Sequence, residues 1–318
     1  MAGEVAVLEF SAFLYLCIRL TSEALLFAIC FKPETVSGHC KKRTIMTFEN
    51  HKISSPLDKY IESIFYYKDF VTDHNFEKVI PTGNIFILIE LDGFERKTFD
   101  NELEPIGHFR NSWISGMHQK HLNISVHKNS EMLIVQFKSF GAFPFFKMPI
   151  NELNNKVAQA EKFFGESILK LREAIISNQI ISDKFKMVEE WLLGIFDEKK
   201  IPPKEIMDFV KTLQSQPFSK HNELLKDYPK TSKNLIEQFK KFCGLTPKVF
   251  HRIFRFNTLL VNINQKNDLV WTDIVYETGY SDQSHFIKEF QEFCGFNPTQ
   301  FIKNGYNDSV PNFLPLDK

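Results

Sequence analysis

The chain has 318 residues, with 39 Lys+Arg balanced by 39 Asp+Glu, and it is 43% hydrophobic and 14% aromatic. That length predicts about two domains, each able to bury a core, and the apolar fraction excludes a disordered chain or a coiled coil. Five cysteines, Cys17, Cys30, Cys40, Cys243 and Cys294, form no CxxC pair, so neither a disulfide framework nor a zinc module is expected, and a reducing, cytoplasmic setting fits best.

Residues Val5 to Phe31 are mostly apolar, but Glu9, Arg19 and Glu23 interrupt them, and the longest uncharged run, Phe10 to Ile18, has nine residues. A spanning helix needs about 20, and a secretory signal would need a positive start and a clear cleavage site. No membrane association is expected. Met46 follows the basic stretch Lys41, Lys42 and Arg43, and ordinary domain sequence begins there. Met46 is therefore the expected start, with residues 1–45 an upstream extension.

Residues 46–165 carry strand signals. Ile85 to Leu91 is a nearly continuous apolar run, Leu122, Ile124 and Val126 alternate, and Met132 to Phe137 is again strand-like. Pro81-Thr-Gly83 and Asp92-Gly93 supply turns. Past Pro149 the apolar spacing shifts to three and four, through Leu153, Val157, Phe164, Ile168, Leu171 and Ile175 and then Phe185, Val188, Trp191, Leu192 and Ile195, the stripe of packed helices. Residues 166–200 are predicted to be connecting helices, with Trp191 a candidate dimer surface. Pro202-Pro203 forbids a continuous helix. Residues 201–303 then read as helix, followed by a tail, 304–318. The predicted class is α+β: a β-rich sensor, connecting helices and an all-α C-terminal domain.

That last domain repeats itself at an offset of 51 residues. Phe239-Lys-Lys-Phe242-Cys243-Gly244-Leu-Thr246-Pro247-Lys-Val-Phe250 returns as Phe290-Gln-Glu-Phe293-Cys294-Gly295-Phe-Asn297-Pro298-Thr-Gln-Phe301, identical at six of twelve positions. In each copy, phenylalanines three apart share a helix face, glycine stops the helix, and Thr or Asn caps a new helix with proline at its first position. Upstream of each copy lies a shorter helix and a turn: Asn222 to Asp227 before Tyr228-Pro229, and Trp271 to Thr278 before Gly279-Tyr280. Helix, short turn, second helix is the helix-turn-helix arrangement. One long helix, about Pro247 to Val261, joins the two units; recognition helices about 34 Å apart would enter adjacent major grooves.

The string Gly244-Leu-Thr-Pro-Lys-Val-Phe-His-Arg252-Ile-Phe-Arg255-Phe, followed by Trp271-Thr-Asp-Ile-Val-Tyr-Glu-Thr-Gly279-Tyr280-Ser-Asp-Gln283-Ser-His285-Phe286-Ile-Lys288-Glu-Phe290 and Gly295-Phe-Asn-Pro298, resembles the DNA-binding domain of AraC/XylS-type transcriptional regulators. The resemblance covers about residues 203–303. Ile80-Pro81-Thr-Gly83, Ser115-Gly116 and the stretch from Val135 to Leu153 resemble the sensor half of one branch of that family. It implies a bacterial one-component regulator, usually an activator that contacts RNA polymerase, often dimeric, and controlled by a small-molecule effector.

Matched residue by residue, the outward face of the second recognition helix is Gln283, Ser284, His285 and Lys288. Gln suits adenine and Lys suits guanine, each pair discriminating by roughly 1–3 kcal/mol. The first recognition helix presents Lys233, Asn234, Ile236 and Glu237. Glu237 departs from the basic residue common in the family; it would either accept from cytosine N4 or repel phosphate and leave the first unit structural. Arg252 and Arg255 on the linking helix would hold phosphates or pair with acidic residues of the second unit, such as Glu277 or Asp273. Twelve Lys+Arg face nine Asp+Glu between Lys220 and Lys303, a mild basic footprint. Cys243 and Cys294 are expected to pack as small hydrophobes.

His108, His118, His121 and His127 fall in the β-rich half. A metal-dependent, cupin-like β-barrel enzyme with a helical scaffold tail is therefore the alternative reading. His121 and His127, about 20 Å apart along a strand, are too far apart to share an ion. No GxSxG, Walker or dinucleotide fingerprint occurs, so neither a catalytic residue nor a cofactor is expected.

Overall fold

The computed structural model describes residues 46–264, 271–304 and 312–317. The proposed extension, residues 1–45, lies outside the described residues, and with it the expectation about the start. Among the described residues no helix is long and apolar enough to cross a membrane.

Ten strands from the first half build two antiparallel sheets. They are β1 (Thr47–His51), β2 (Ile61–Lys68), β3 (Phe76–Val79), β4 (Phe86–Glu90), β5 (Arg96–Phe99), β6 (Pro105–Phe109), β7 (Ser112–Ser115), β8 (Leu122–Ser125), β9 (Met132–Phe137) and β10 (Val157–Gln159). An eleventh, β11 (Phe313–Pro315), comes from the C-terminal tail. The six-stranded sheet runs β1-β2-β9-β4-β7-β10 and the five-stranded sheet β11-β3-β8-β5-β6. Phe65, Tyr67, Met132 and Ile134 of the larger sheet form the core between the sheets, whereas Ile64, Tyr66, Ile87, Leu133 and Val135 join the core shared with the helices. A sheet covered on both faces needs apolar residues at every position. That explains the nearly continuous apolar runs Ile85 to Leu91 and Met132 to Phe137, broken only by Glu90 and Gln136.

Helices α1 (Glu161–Phe164), α2 (Glu166–Ser177) and α3 (Ile181–Ile195) follow. They cover the outer face of the larger sheet: Ile168, Leu171, Ile175, Phe185, Val188 and Leu192 are buried, at the spacing expected from sequence. Leu153 and Val157, read as the start of that stripe, instead fall in a short 3-10 turn and in β10, where pairing with β7 takes the backbone hydrogen bonds. Trp191 packs edge-on against Phe164 and its Nε1 donates to Ser167 Oγ at 3.3 Å, so its ring is engaged within the chain.

The C-terminal domain comprises α4 (Lys204–Ser215), α5 (His221–Leu224), α6 (Ser232–Cys243), α7 (Pro247–Asn264), α8 (Trp271–Glu277), α9 (Gln283–Cys294) and α10 (Pro298–Lys303). The repeat's local chemistry appears in both copies. Gly244 and Gly295 stop their helices with φ of +88° and +77°, a conformation costly to any residue with a Cβ. Thr246 Oγ1 accepts from Val249 N, and Asn297 forms a reciprocal capping box with Gln300. Thr231 caps α6 and Asp282 caps α9. Cys243 and Cys294 are buried free thiols.

Both glycine stops also dock on the β-rich domain. A Cβ at Gly244 would lie 2.9–3.0 Å from Asn154, Ile150 and Met117, and one at Gly295 would lie 2.5 Å from Lys78 Nζ. Asn154 Nδ2 donates to the Gly244 carbonyl, and the Lys78 ammonium sits 4.5 Å from the centre of the Phe296 ring. Equivalent points of the repeat thus meet two different parts of the β domain. A cleft of about 600 Å³ opens at the joint between the domains, lined by Lys59, Lys138, Lys211, Gln214 and Asn257 among others.

Candidate DNA-reading surface

In α9, Phe286, Phe290 and Phe293 are buried at the three- and four-residue spacing of one helix face. They pack with Phe256, Trp271 and Phe301. The opposite face is solvent-facing and carries Gln283, Ser284, His285 and Lys288. Asp282 accepts from the backbone N–H of His285 at 2.8 Å, which satisfies a donor that the helix start would otherwise leave open. The His285 ring lies edge-on to Tyr280, with Nδ1 at 3.2 Å from Ser281 Oγ. Its orientation is therefore set by contacts within the chain.

In α6, Lys233, Ile236 and Glu237 are exposed and Asn234 is half-buried. Asn234 Oδ1 accepts from the Tyr228 hydroxyl at 3.2 Å, so part of its hydrogen-bonding capacity is used internally. Ile236 presents an apolar side chain to solvent, of the kind that contacts a thymine methyl. Glu237 faces outward beside Lys233 and Ile236.

Arg252 and Arg255 are engaged with α9. Arg252 Nε donates to Glu289 Oε2 at 2.6 Å and its second arm to Glu292 at 2.5 Å. Arg255 donates to both Glu289 oxygens at 2.7 and 2.9 Å, and the Tyr280 hydroxyl donates to Oε1 at 2.8 Å. The partners seen for these arginines are Glu289 and Glu292, both acidic residues of the second unit. Burial would push the Glu289 carboxyl up, but Arg255 and Arg252 outweigh it and hold the group below its ordinary range. Sequence reasoning missed Glu289. The signal was present: it falls on the inward stripe between Phe286 and Phe293, and a charge on a buried stripe requires partners.

His108, His118, His121 and His127 do not converge on one point, although His108 and His127 both reach Glu95, one at its carboxylate and the other at its carbonyl. His118, half-buried beside Ser115 Oγ at 3.1 Å, is lowered to about 4 by desolvation. His121 approaches Asn101, His127 stacks on Phe94, and His108 meets Glu95. Among the described residues no group of three or more His, Cys, Asp or Glu side chains is placed to hold a metal.

Inside the β domain, Glu90 accepts from Arg96 Nε at 2.8 Å and Trp113 Nε1 at 2.7 Å. Burial pushes its carboxyl up to about 7 against the pull of Arg96 and Trp113. A raised carboxyl favours the fold fully below its ordinary 4.5, and that contribution is lost as pH rises through 7. Glu90→Gln removes this titration. Its thermal midpoint is expected to vary less than that of the wild type between pH 4.5 and 7; equal slopes would assign the dependence to another group.

A family described as a helix-turn-helix domain matches residues 230–304, the span from the turn before α6 to the end of α10. Residues 230–304 are an AraC-type helix-turn-helix domain. A family described as a domain of unknown function (DUF6597) matches residues 49–159, the two-sheet domain to which the AraC-type domain is docked. A search of curated proteins found no match. Among solved structures, ToxT from Vibrio cholerae overlays on the chain at 11% identity. A 1.65 Å form covers 80% of this chain and 98% of that one with a TM-score of 0.41. An apo form from strain SCE256 covers 76% and 96% with a TM-score of 0.41, and a form bound to an unsaturated fatty acid covers 73% and 97% with a TM-score of 0.36.

Proposed function

We propose that the chain is a sequence-specific DNA-binding transcriptional regulator in which the β domain senses a small molecule and controls how two reading units meet DNA. The observation that carries this is the pair of capped helix-turn-helix units joined by α7, with Gln283, Ser284, His285 and Lys288 exposed on α9 and both glycine stops held by the β domain. The coupling is a population shift, which requires an effector to bind one arrangement better than the other. Binding in the cytoplasm, activation through RNA polymerase and self-association through the connecting helices belong to the same reading. Leu193 and Ile180 are exposed on and beside α3, and light scattering at micromolar concentration is expected to report a dimer; a monomer would remove that part.

Selection of bound sequences from a random DNA pool by the full chain is expected to enrich one motif, with affinity falling steeply as salt rises. Two enriched blocks about ten base pairs apart would mean that both units read bases; one block would mean that Glu237 keeps the first from doing so. No enrichment would overturn the proposal.

A further inference from the structure

Residues 312–317 follow the helical domain in sequence but join the β domain in space. β11 pairs antiparallel with β3, Phe313 opposite Val79 and Pro315 opposite Glu77. Ile80 N donates to Asn312 O at 2.8 Å and Leu316 N to Phe76 O at 3.0 Å. The Asp317 carboxylate accepts the backbone N–H groups of Asn75 and Phe76, each at 3.0 Å. On its other side the tail reaches the helix that joins the two reading units. Asn312 Nδ2 donates to Asn257 Oδ1 of α7 at 2.6 Å, and Asn257 Nδ2 donates to the Pro81 carbonyl at 2.9 Å. Asn257 and Asn312 are both buried. A six-residue strap thus ties α7 to the smaller sheet.

The same strap forms part of the wall of the space between the sheets. Two cavities, of about 90 and 80 Å³, share Leu88, Trp113, Ile124, Ile134 and Phe313. The first four belong to β4, β7, β8 and β9, each flanked by strands on both sides. Phe313 sits on a three-residue edge strand that ends in a proline, which has no N–H for a ladder. Each cavity alone is smaller than the roughly 300–1,000 Å³ of ordinary small-molecule sites. Taking away the Phe313 ring removes a shared wall and opens the sheet edge. The first cavity is lined by Phe65, Phe86 and Leu122 with the Ser115–His118 pair as a polar point, and no Asp, Glu, Lys or Arg lines it. In the second, the charged lining groups are already paired: Arg96 with Glu90 and Asp92, Glu77 with His74 and Lys97 with Glu95. Such a lining accepts apolar surface and rejects charge.

We propose that the inter-sheet space takes an uncharged, mainly apolar small molecule that displaces the Phe313 ring, so that binding strips β11 from β3 and removes the strap's tie to Asn257, loosening α7 on the β domain. The inference rests on the regulator reading for its meaning, because it supplies the path from sensor to DNA-reading units. The displaced ring and the incoming ligand compete for the same apolar contacts, so the strap is the element whose equilibrium the ligand shifts.

The test uses the full chain and the uncharged fluorophore N-phenyl-1-naphthylamine. Saturable binding is expected, about tenfold tighter in Phe313→Ala, where the competing ring is gone, and weaker than wild type in Phe313→Trp. In the unmodified chain, the probe is expected to speed hydrogen exchange at the Ile80 and Leu316 amides at least tenfold, while amides of β4 and β9 stay slow. Equal affinity across the three proteins would put the probe elsewhere, such as the interdomain cleft, and overturn the site. Binding without faster exchange at Ile80 and Leu316 would overturn the displacement, and no binding would overturn both. Neither measurement involves DNA, so a failure here is separate from a failure of the DNA selection above.

Discussion

Replacing Glu289 by alanine is expected to destabilise the second helix-turn-helix unit by about 3 kcal/mol, the lower end for removing one partner from a buried ionic cluster. The carboxylate is 1% exposed and receives Arg252, Arg255 and the Tyr280 hydroxyl. Its loss leaves two guanidinium groups in a partly buried site with their main acceptor gone. The Arg252–Glu292 contact is more exposed and would compensate little. Urea denaturation followed by far-UV circular dichroism measures the change, and a loss below about 1 kcal/mol would show that the cluster does not hold α9 on α7. Glu289→Gln keeps one of the two acceptor oxygens, without charge, and should fall between. The cluster also sets an acid limit. Because Glu289 titrates below its ordinary 4.5 in the folded chain, its contribution is present above that pH and is lost as pH falls through the lower folded value. The alanine variant should lack this part of the acid dependence.

Lys288→Ala is expected to weaken binding to the selected DNA site by roughly 5- to 150-fold, the equivalent of about 1–3 kcal/mol. Lys288 lies on the exposed face of α9 with Gln283 and Ser284, and no ion pair to it is seen among the described residues. Its role is separable by two readouts. If it reads a base, the variant relaxes the preference at one position; if it holds a phosphate, binding weakens evenly across sequences and the salt slope falls by about one. An affinity unchanged within twofold would remove Lys288 from the interface. Glu237→Ala is the counterpart in α6. Tighter binding would follow if Glu237 repels phosphate, and weaker binding if it accepts from cytosine N4.

The sequence by itself determined the local architecture of the C-terminal domain. Glycine stops, Thr and Asn caps, prolines at first helical positions and phenylalanines at three-residue spacing act within a few residues, so α6 to α10 and the outward face Gln283, Ser284, His285 and Lys288 follow from the chain alone. The strand runs at Ile85 to Leu91 and Met132 to Phe137 were equally legible, because a sheet covered on both faces imprints itself as nearly continuous apolar sequence. Only the tertiary structure decided where charges and chain ends go. Arg252 and Arg255 meet a carboxylate 34 to 37 residues away, which no spacing rule specifies. Asn312 reaches Asn257 across 55 residues, and Phe313 to Pro315 become a strand of the domain at the other end of the chain. A three-residue edge strand carries too little pattern to be read by alternation, and its place is set by an open sheet edge and by the packing of α7 on the Pro81 loop.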